Sequence, residues 1–311
     1  MSEVQTVEQP AMRHRLRGAV LAPWMLALGL AAVYCAISLS RLHRYETRSW
    51  DLAIFEQVVR GYAYLTGPIV DVQGPGANFF GDHFSPALAV LAPLYRVAPH
   101  TETLLVAQAV LVAGSVLILT RLAVRHLGTA AGWGIGLAYG LSWGVQSAID
   151  FDFHEVALAA PLLALCGAAY VDRDWRRTAL WAFPLVLVKE DLALTSAAIG
   201  VVLVLRGARR WGAGLLIWSL LAFIAATVVI IPAVNPDGVY RFWPGYDESS
   251  SALAGLLHLP VDLLWPAEKL QTLLLVLAVG ALLALRSPWV LVAGPNVAVR
   301  FLSDNPYYWS T

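Results

Sequence analysis

Gly212–Pro232 reads GAGLLIWSLLAFIAATVVIIP, an apolar run without a charged residue. A helix needs about 20 mostly apolar residues to cross a hydrocarbon layer about 30 Å thick. Only helices and closed barrels satisfy their backbone polar groups in lipid. The run does not alternate with period two, which excludes a barrel strand and predicts a transmembrane helix. Comparable blocks lie on both sides: Gly18–Ser40, Glu102–Leu122, Thr129–Ser147, Val156–Val171, Thr178–Val188, Leu192–Leu205, Leu270–Leu285 and Pro288–Leu302. The expected fold is all-α, a polytopic transmembrane bundle of about nine spans. The short pair around Lys189 is open to a second reading, as one broken or re-entrant hairpin.

Composition agrees. Of 311 residues, 59% are hydrophobic and 14% charged, whereas a soluble domain has about a quarter of its residues charged. Net charge is zero, which argues against a nucleic-acid partner. The chain is expected to divide into a cytoplasmic tail, 1–17, and one transmembrane domain, 18–311, with interfacial helices on a long external loop, 41–101. The first apolar run is longer than a signal-peptide core of roughly 7–15 residues, so it reads as a permanent span. Cys35 and Cys166 fall in apolar segments at different depths and are expected to be free thiols.

Arginines set the orientation. Arg13, Arg15 and Arg17 precede the first span, and Arg121, Arg125, Arg173, Arg176, Arg177, Arg206, Arg209, Arg210 and Arg286 follow alternate spans. Short loops rich in Lys and Arg stay cytoplasmic, so the N-terminus is predicted to lie inside a bacterial-type plasma (inner) membrane. The opposite face then receives the 41–101 loop, DFDFHE (Asp150–Glu155), KED (Lys189–Asp191), the loop 235–269 and the closing SDNPYYWST. Apart from Asp172 and Asp174, nearly every acidic residue beyond the N-terminal tail lands there. Ionisable residues at several span ends on one face point to a site built from many helices.

RYETRSWDLAIFEQ (Arg44–Gln57) predicts an interfacial helix whose apolar face carries Trp50, Ile54 and Val58, with Phe55 beside it. Asp51 and Glu56 lie off that face. Asp51 is a candidate base or metal ligand, against the plainer reading of a solvated charge. Asp82 and His83 follow a Gly-Pro turn. A single Asp-His pair is as often a helix cap as a ligand, yet with Asp51 it offers donors for a divalent ion. In DFDFHE, Asp150 and His154 share a face if the segment is helical, and Asp152 and His154 are candidate substrate contacts. Lys189, Glu190 and Asp191 end an apolar run at the edge of the hydrocarbon, a costly place for purposeless charges. Lys189 there suits a phosphate or carboxylate, its plain alternative being a local ion pair. Asp304 and Asn305 join the candidates on the external side. Phosphate-loop, zinc-protease and nucleophile-elbow motifs do not occur.

Five strings in order, DLAIFEQ (Asp51–Gln57), GDHFSPALAVLAPLYRV (Gly81–Val97), DFDFHEVALAAPLLAL (Asp150–Leu165), LVLVKEDLAL (Leu185–Leu194) and FLSDNPYYWST (Phe301–Thr311), resemble the bacterial membrane-protein family catalogued as domain of unknown function 2079. That family looks like a branch of the C-type-fold glycosyltransferases, which transfer sugars from polyprenyl-phosphate carriers on the external face. The resemblance implies that Asp51 matches the acidic residue after the first span. It aligns GDHFSP, hence Asp82 and His83, with a later loop motif, and Lys189 with a lysine ending an apolar run, although Glu190 stands where glycine is usual. It also implies further sequence after Thr311. The expected function is sugar transfer from a polyprenyl-phosphate donor, with membrane lipid as the surrounding partner. Asp51, Asp82 and His83 would be catalytic, and Lys189 with its neighbours would hold the leaving phosphate. Those groups, with Asp152 and His154, are expected to share one external cavity. The competing functions are a transporter or flippase of a lipid-linked or small polar substrate, and a non-catalytic assembly factor.

The orientation is testable by cysteine-accessibility labelling in a background lacking Cys35 and Cys166. Ala208→Cys should label only from the cytoplasm and Ser250→Cys only from outside. Labelling of Ser250→Cys from the cytoplasm alone would overturn the predicted orientation.

Overall fold

The computed structural model describes residues 8–47, 50–242, 265–279 and 283–302. Every regular element among them is helical: α1 Glu8–His43, α2 Asp51–Ala63, α3 Ala92–Val97, α4 Glu102–Leu127, α5 Thr129–Gly140, α6 Trp143–Asp150, α7 Ala159–Val171, α8 Trp175–Ala182, α9 Leu185–Val188, α10 Leu192–Leu205, α11 Arg209–Ile224, α12 Ile231–Val234, α13 Ala267–Val279 and α14 Gly294–Phe301. Short 3-10 turns join several of them. The chain forms two compact units, residues 1–77 with 87–181 and residues 78–86 with 182–311.

Among the described residues three helices are long and apolar enough to cross a membrane: Leu21–His43, Glu102–Leu127 and Arg209–Val234. The other expected spans are carried, among the described residues, by shorter helices, and several are interrupted, Pro288–Leu302 among them, where a 3-10 turn at Pro288–Val292 precedes α14. Thr129–Ser147 divides at Leu141–Ser142 into α5 and α6. Thr178–Val188 divides into α8 and α9 at Phe183–Pro184, where proline lacks the N–H a helix interior needs and crowds the preceding turn. The expected tail is in part helical, because α1 begins at Glu8. Its residues, including Ala11, Met12, Arg13, Arg15 and Leu16, are good helix formers, and Pro10 falls in the first turn, where amides have no intrahelical partner.

In the first unit α4 is central, with α1, α5 and α7 packed around it. Leu26, Leu30 and Tyr34 of α1 meet Ala109, Val112, Ala113 and Val116 of α4 and Val145 and Ile149 of α6. Gly132, Gly136 and Gly140 recur every fourth residue along α5. A side chain at Gly132 would strike Val124, at Gly136 Thr120 and Leu26, and at Gly140 Leu30 and Val116. Such small-residue stripes let helix backbones close on one another where lipid supplies no hydrophobic drive. The outward residues of α1, including Leu21, Met25 and Leu28, stay exposed, as suits a lipid-facing stripe.

Within the second unit α10 packs on α11, on a 3-10 turn at Pro288–Val292 and on α14. The α10–α11 crossing is a glycine contact: a Cβ on Gly212 would lie 2.6 Å from the Gly200 carbonyl oxygen, and one on Gly200 2.9 Å from that of Gly212. Residues 225–230 form a π-helical turn before Pro232. The wider turn absorbs the amide that Pro232 cannot offer, so the helix continues to Val234. Lys269 Nζ donates to the Phe301 carbonyl at 2.6 Å, tying α13 to the end of α14.

The glycine contact predicts that Gly212→Leu destabilises the protein by about 1–3 kcal/mol, the usual penalty of overpacking. Gly214→Leu, with no neighbour within 4 Å, should be nearly neutral. Thermal unfolding of both variants in detergent checks this. Equal melting points for the two would refute the close α10–α11 contact.

Candidate functional site

The first unit places Asp51, Asp152 and His154. Asp51 opens α2 and is half-buried. The buried face of α2 is Leu52, Phe55, Val58 and Val59 rather than the expected Trp50–Ile54–Val58 stripe, because Trp50 precedes the helix and stays exposed. Glu56 accepts the Tyr95 hydroxyl at 2.8 Å and the Thr101 hydroxyl at 2.6 Å. That carboxylate therefore fastens α2 to the start of α4.

DFDFHE is not one helical face. α6 ends at Asp150, and Asp152 takes φ +76°, a conformation rare outside glycine. Asp150 instead pairs with Arg41 at the end of α1. His154 Nδ1 lies 2.5 Å from Glu155, which is fully buried, and Phe55 meets the His154 ring edge-on at 5.1 Å. Gln108 holds the turn from α4. Its amide donates to the carbonyls of Ala148 and Asp152, and its oxygen accepts the His154 N–H at 3.0 Å. A glutamine in an apolar span is expensive unless its amide is satisfied, and here the turn satisfies it.

The second unit gathers Asp82, His83, Lys189, Glu190 and Asp191, and here the geometry is most developed. Between α9 and α10 the backbone leaves the helix: Lys189 is extended, at φ −160° and ψ 146°. Glu190, 1% exposed, occupies this interruption. Its Oε1 lies 2.8 Å from His83 Nδ1 and accepts the Tyr240 hydroxyl at 3.2 Å, while Oε2 accepts the Phe84 N–H at 3.0 Å. Phe242 stacks on the His83 ring, centroids 4.5 Å apart and planes 19° from parallel.

Asn235, just after α12, secures the segment carrying His83. Its side chain donates to the Gly81 carbonyl at 2.7 Å. The two backbones come so close that a Cβ on Gly81 would lie 3.0 Å from Asn235 Cα. Gly81 is therefore the residue that permits His83 to reach Glu190. Tyr240, Phe242 and Asn235 were not among the sequence candidates. Their signal was slight, a turn-forming Asn-Pro-Asp-Gly string ahead of two aromatics.

The charges act on one another. Burial alone would lift the Glu190 carboxyl, but the His83 and Lys189 cations, with the hydrogen bond from His83, hold it below its ordinary range. Burial and the Lys189 cation work against a proton on His83. The Glu190 carboxylate and, more weakly, Asp82 overcome them, so the imidazole titrates above its ordinary value. Burial, then the Glu190 and Asp191 carboxylates, drive the Tyr240 hydroxyl far up, so it remains a donor.

Among the described residues, no three His, Cys, Asp or Glu side chains gather as a metal site would require. Of the proposed ion ligands, Asp51 belongs to the first unit and Asp82 and His83 to the second. Cys35 and Cys166 are free. Asp304 and Asn305 lie outside the described residues.

The His83–Glu190 pair predicts a pH window. The raised His83 value gives stability that is complete below the ordinary value of about 6.5 and is lost as pH rises through the folded value. The lowered Glu190 value gives stability that is complete above about 4.3 and is lost as pH falls through the folded value. The melting-temperature difference between wild type and His83→Gln should therefore be largest between about pH 4.3 and 6.5 and shrink on both sides. A difference that keeps growing above neutrality would contradict the pairing.

Comparison with known proteins places the chain. A family described as "Predicted membrane protein (DUF2079)" matches residues 41–311. No curated protein and no solved structure matches. The match covers all of the chain beyond residue 40, with every candidate residue named above, so the chain belongs to this family of predicted membrane proteins.

Proposed function

We propose that this protein is a membrane enzyme that transfers a sugar from a polyprenyl-phosphate donor on the external face of the bacterial plasma membrane. The observation that carries the reading is a half-buried imidazole held by a buried carboxylate, with a lysine one residue away, in an interruption between apolar helices. The likeness of this chain's family to the lipid-phosphate-dependent glycosyltransferases supports it from the sequence.

The chemistry assigns one role to each group. His83 Nε2 takes the proton of the acceptor hydroxyl. The acceptor oxygen forms a bond to the sugar's anomeric carbon as that carbon's bond to the phosphate oxygen breaks, and polyprenyl phosphate departs with the bonding pair. Lys189 offsets the charge on the leaving phosphate. Asp82 favours the proton that His83 gains.

A second reading, a transporter of a lipid-linked or small polar substrate, draws on one feature. Lys189–Asp191 lie where the helix is broken, and transporters place binding groups at such breaks. A transporter would move its substrate unchanged, whereas the enzyme cleaves it.

Purified protein in proteoliposomes with a polyprenyl-phosphate sugar and candidate acceptors separates the two. Sugar transfer should fall about 10²–10⁴-fold in His83→Ala, the usual worth of a general base, and Lys189→Ala should mainly weaken use of the donor. Because the base works deprotonated, the wild-type rate should climb with pH through a midpoint above 6.5. Full transfer by His83→Ala would refute His83 as the base, and absence of transfer by the wild type would refute the enzyme reading. Uptake of intact substrate without transfer would favour transport.

A further inference from the structure

We infer that Glu190 and Tyr240 act on His83 rather than on a ligand: they hold the imidazole with its proton on Nδ1 and leave Nε2 as the working nitrogen. The inference rests on the reading of this site as the place of chemistry, and it changes the role of Glu190, a substrate-contact candidate by its sequence position alone.

The argument begins with what Glu190 has left to offer. The carboxylate is buried, and three donors already converge on it: the His83 ring, the Tyr240 hydroxyl and the Phe84 amide. An ionised carboxylate only accepts hydrogen bonds. The ring nitrogen 2.8 Å from Oε1 therefore carries the hydrogen, and the neutral imidazole is left with an unprotonated Nε2. An acceptor on one ring nitrogen setting the task of the other is how histidines are tuned as bases and as ligands.

The rest of the ring is committed too. Phe242 stacks on the imidazole, and Phe79 lies against it at 6.2 Å and 53°. With Nδ1 occupied and the ring flanked by aromatics, Nε2 is the ring nitrogen left for a ligand, and 18% of the His83 side chain stays exposed. Tyr240 completes the arrangement by donating to Oε1, the same oxygen that meets His83 Nδ1. Its hydroxyl takes up part of the carboxylate's charge, which moderates the pull of Glu190 on the imidazolium. Asp82, Lys189 and Asp191 surround the relay. Lys189 opposes a proton on His83 and Asp82 favours it, while Asp191 helps keep Tyr240 protonated.

The roles predict opposite effects for two conservative changes. Glu190→Gln removes the charge, and the His83 midpoint should fall by about one unit or more. Tyr240→Phe leaves the carboxylate less shared, and the midpoint should rise. Nitrogen-15 NMR of histidine-labelled full-length protein in nanodiscs reads both, with His83→Gln identifying the signal. In wild type the neutral form should show a protonated Nδ1 and a bare Nε2. If transfer is measurable, Glu190→Gln should lower kcat with little change in KM and move the pH profile with the NMR midpoint. Glu190→Asp should restore part of both.

A protonated Nε2 in the neutral wild-type ring overturns the relay, as does a midpoint unmoved by Glu190→Gln. Wild type and Tyr240→Phe suffice if Glu190→Gln does not fold. The NMR readouts need no substrate, so the two proposals fail separately: shifts as expected, beside no sugar transfer by the wild type, keep the relay and refute the sugar-transfer reading.

Discussion

A buried carboxylate between two apolar helices is the constraint on which the second unit turns. Left unpaired, an ionised carboxylate out of water costs several kcal/mol even after relaxation. Glu190 is 1% exposed, so its partners must be brought to it. They come from remote parts of the chain, His83 and Phe84 from residues 78–86 and Tyr240 from the stretch after α12. This explains why 78–86 groups with 182–311 rather than with its sequence neighbours. Asn235 and Gly81 serve the same end, one by donating to the other's carbonyl and the other by having no side chain. The break at Lys189 puts Glu190 where those donors can reach it.

The first unit meets the same requirement by other means. Several polar groups near its apolar helices are matched at helix ends. Arg41 meets Asp150, Glu56 meets Tyr95 and Thr101, and Gln108 takes both donor and acceptor roles against the turn after α6. The Tyr34 hydroxyl donates to the Gly140 carbonyl at 2.6 Å, an acceptor left open by the end of α5. Such pairings matter most in a membrane, where water does not rescue an unmatched group. They fasten helix ends to one another through side chains that stand out in the sequence.

Legibility in the sequence followed the physics of each feature. Long apolar runs such as Glu102–Leu122 and Gly212–Pro232 were plain, because crossing a bilayer is a demand on consecutive residues. The interruption near Lys189 was visible as a charged triplet in an apolar stretch. The buried face of α2 was misjudged by counting Trp50 as part of it, since only the packed neighbours reveal where the helix begins. Asp150 and His154 would share a face only in a helical segment, and the chain instead turns at Asp152. Tyr240, Phe242 and Asn235 were beyond reading: their importance comes from meeting residues more than forty positions away, and no periodicity records that.

A double-mutant cycle on His83 and Glu190 tests the central claim most directly. His83→Gln, Glu190→Gln and the double variant, compared by unfolding in detergent at pH 6, isolate the pair from everything else each side chain touches. A charge-assisted hydrogen bond in a buried setting predicts a coupling of about 1.5–3 kcal/mol. Additive losses, with no coupling, would mean that the two groups do not depend on one another, and the account of the second unit built on Glu190 would be wrong.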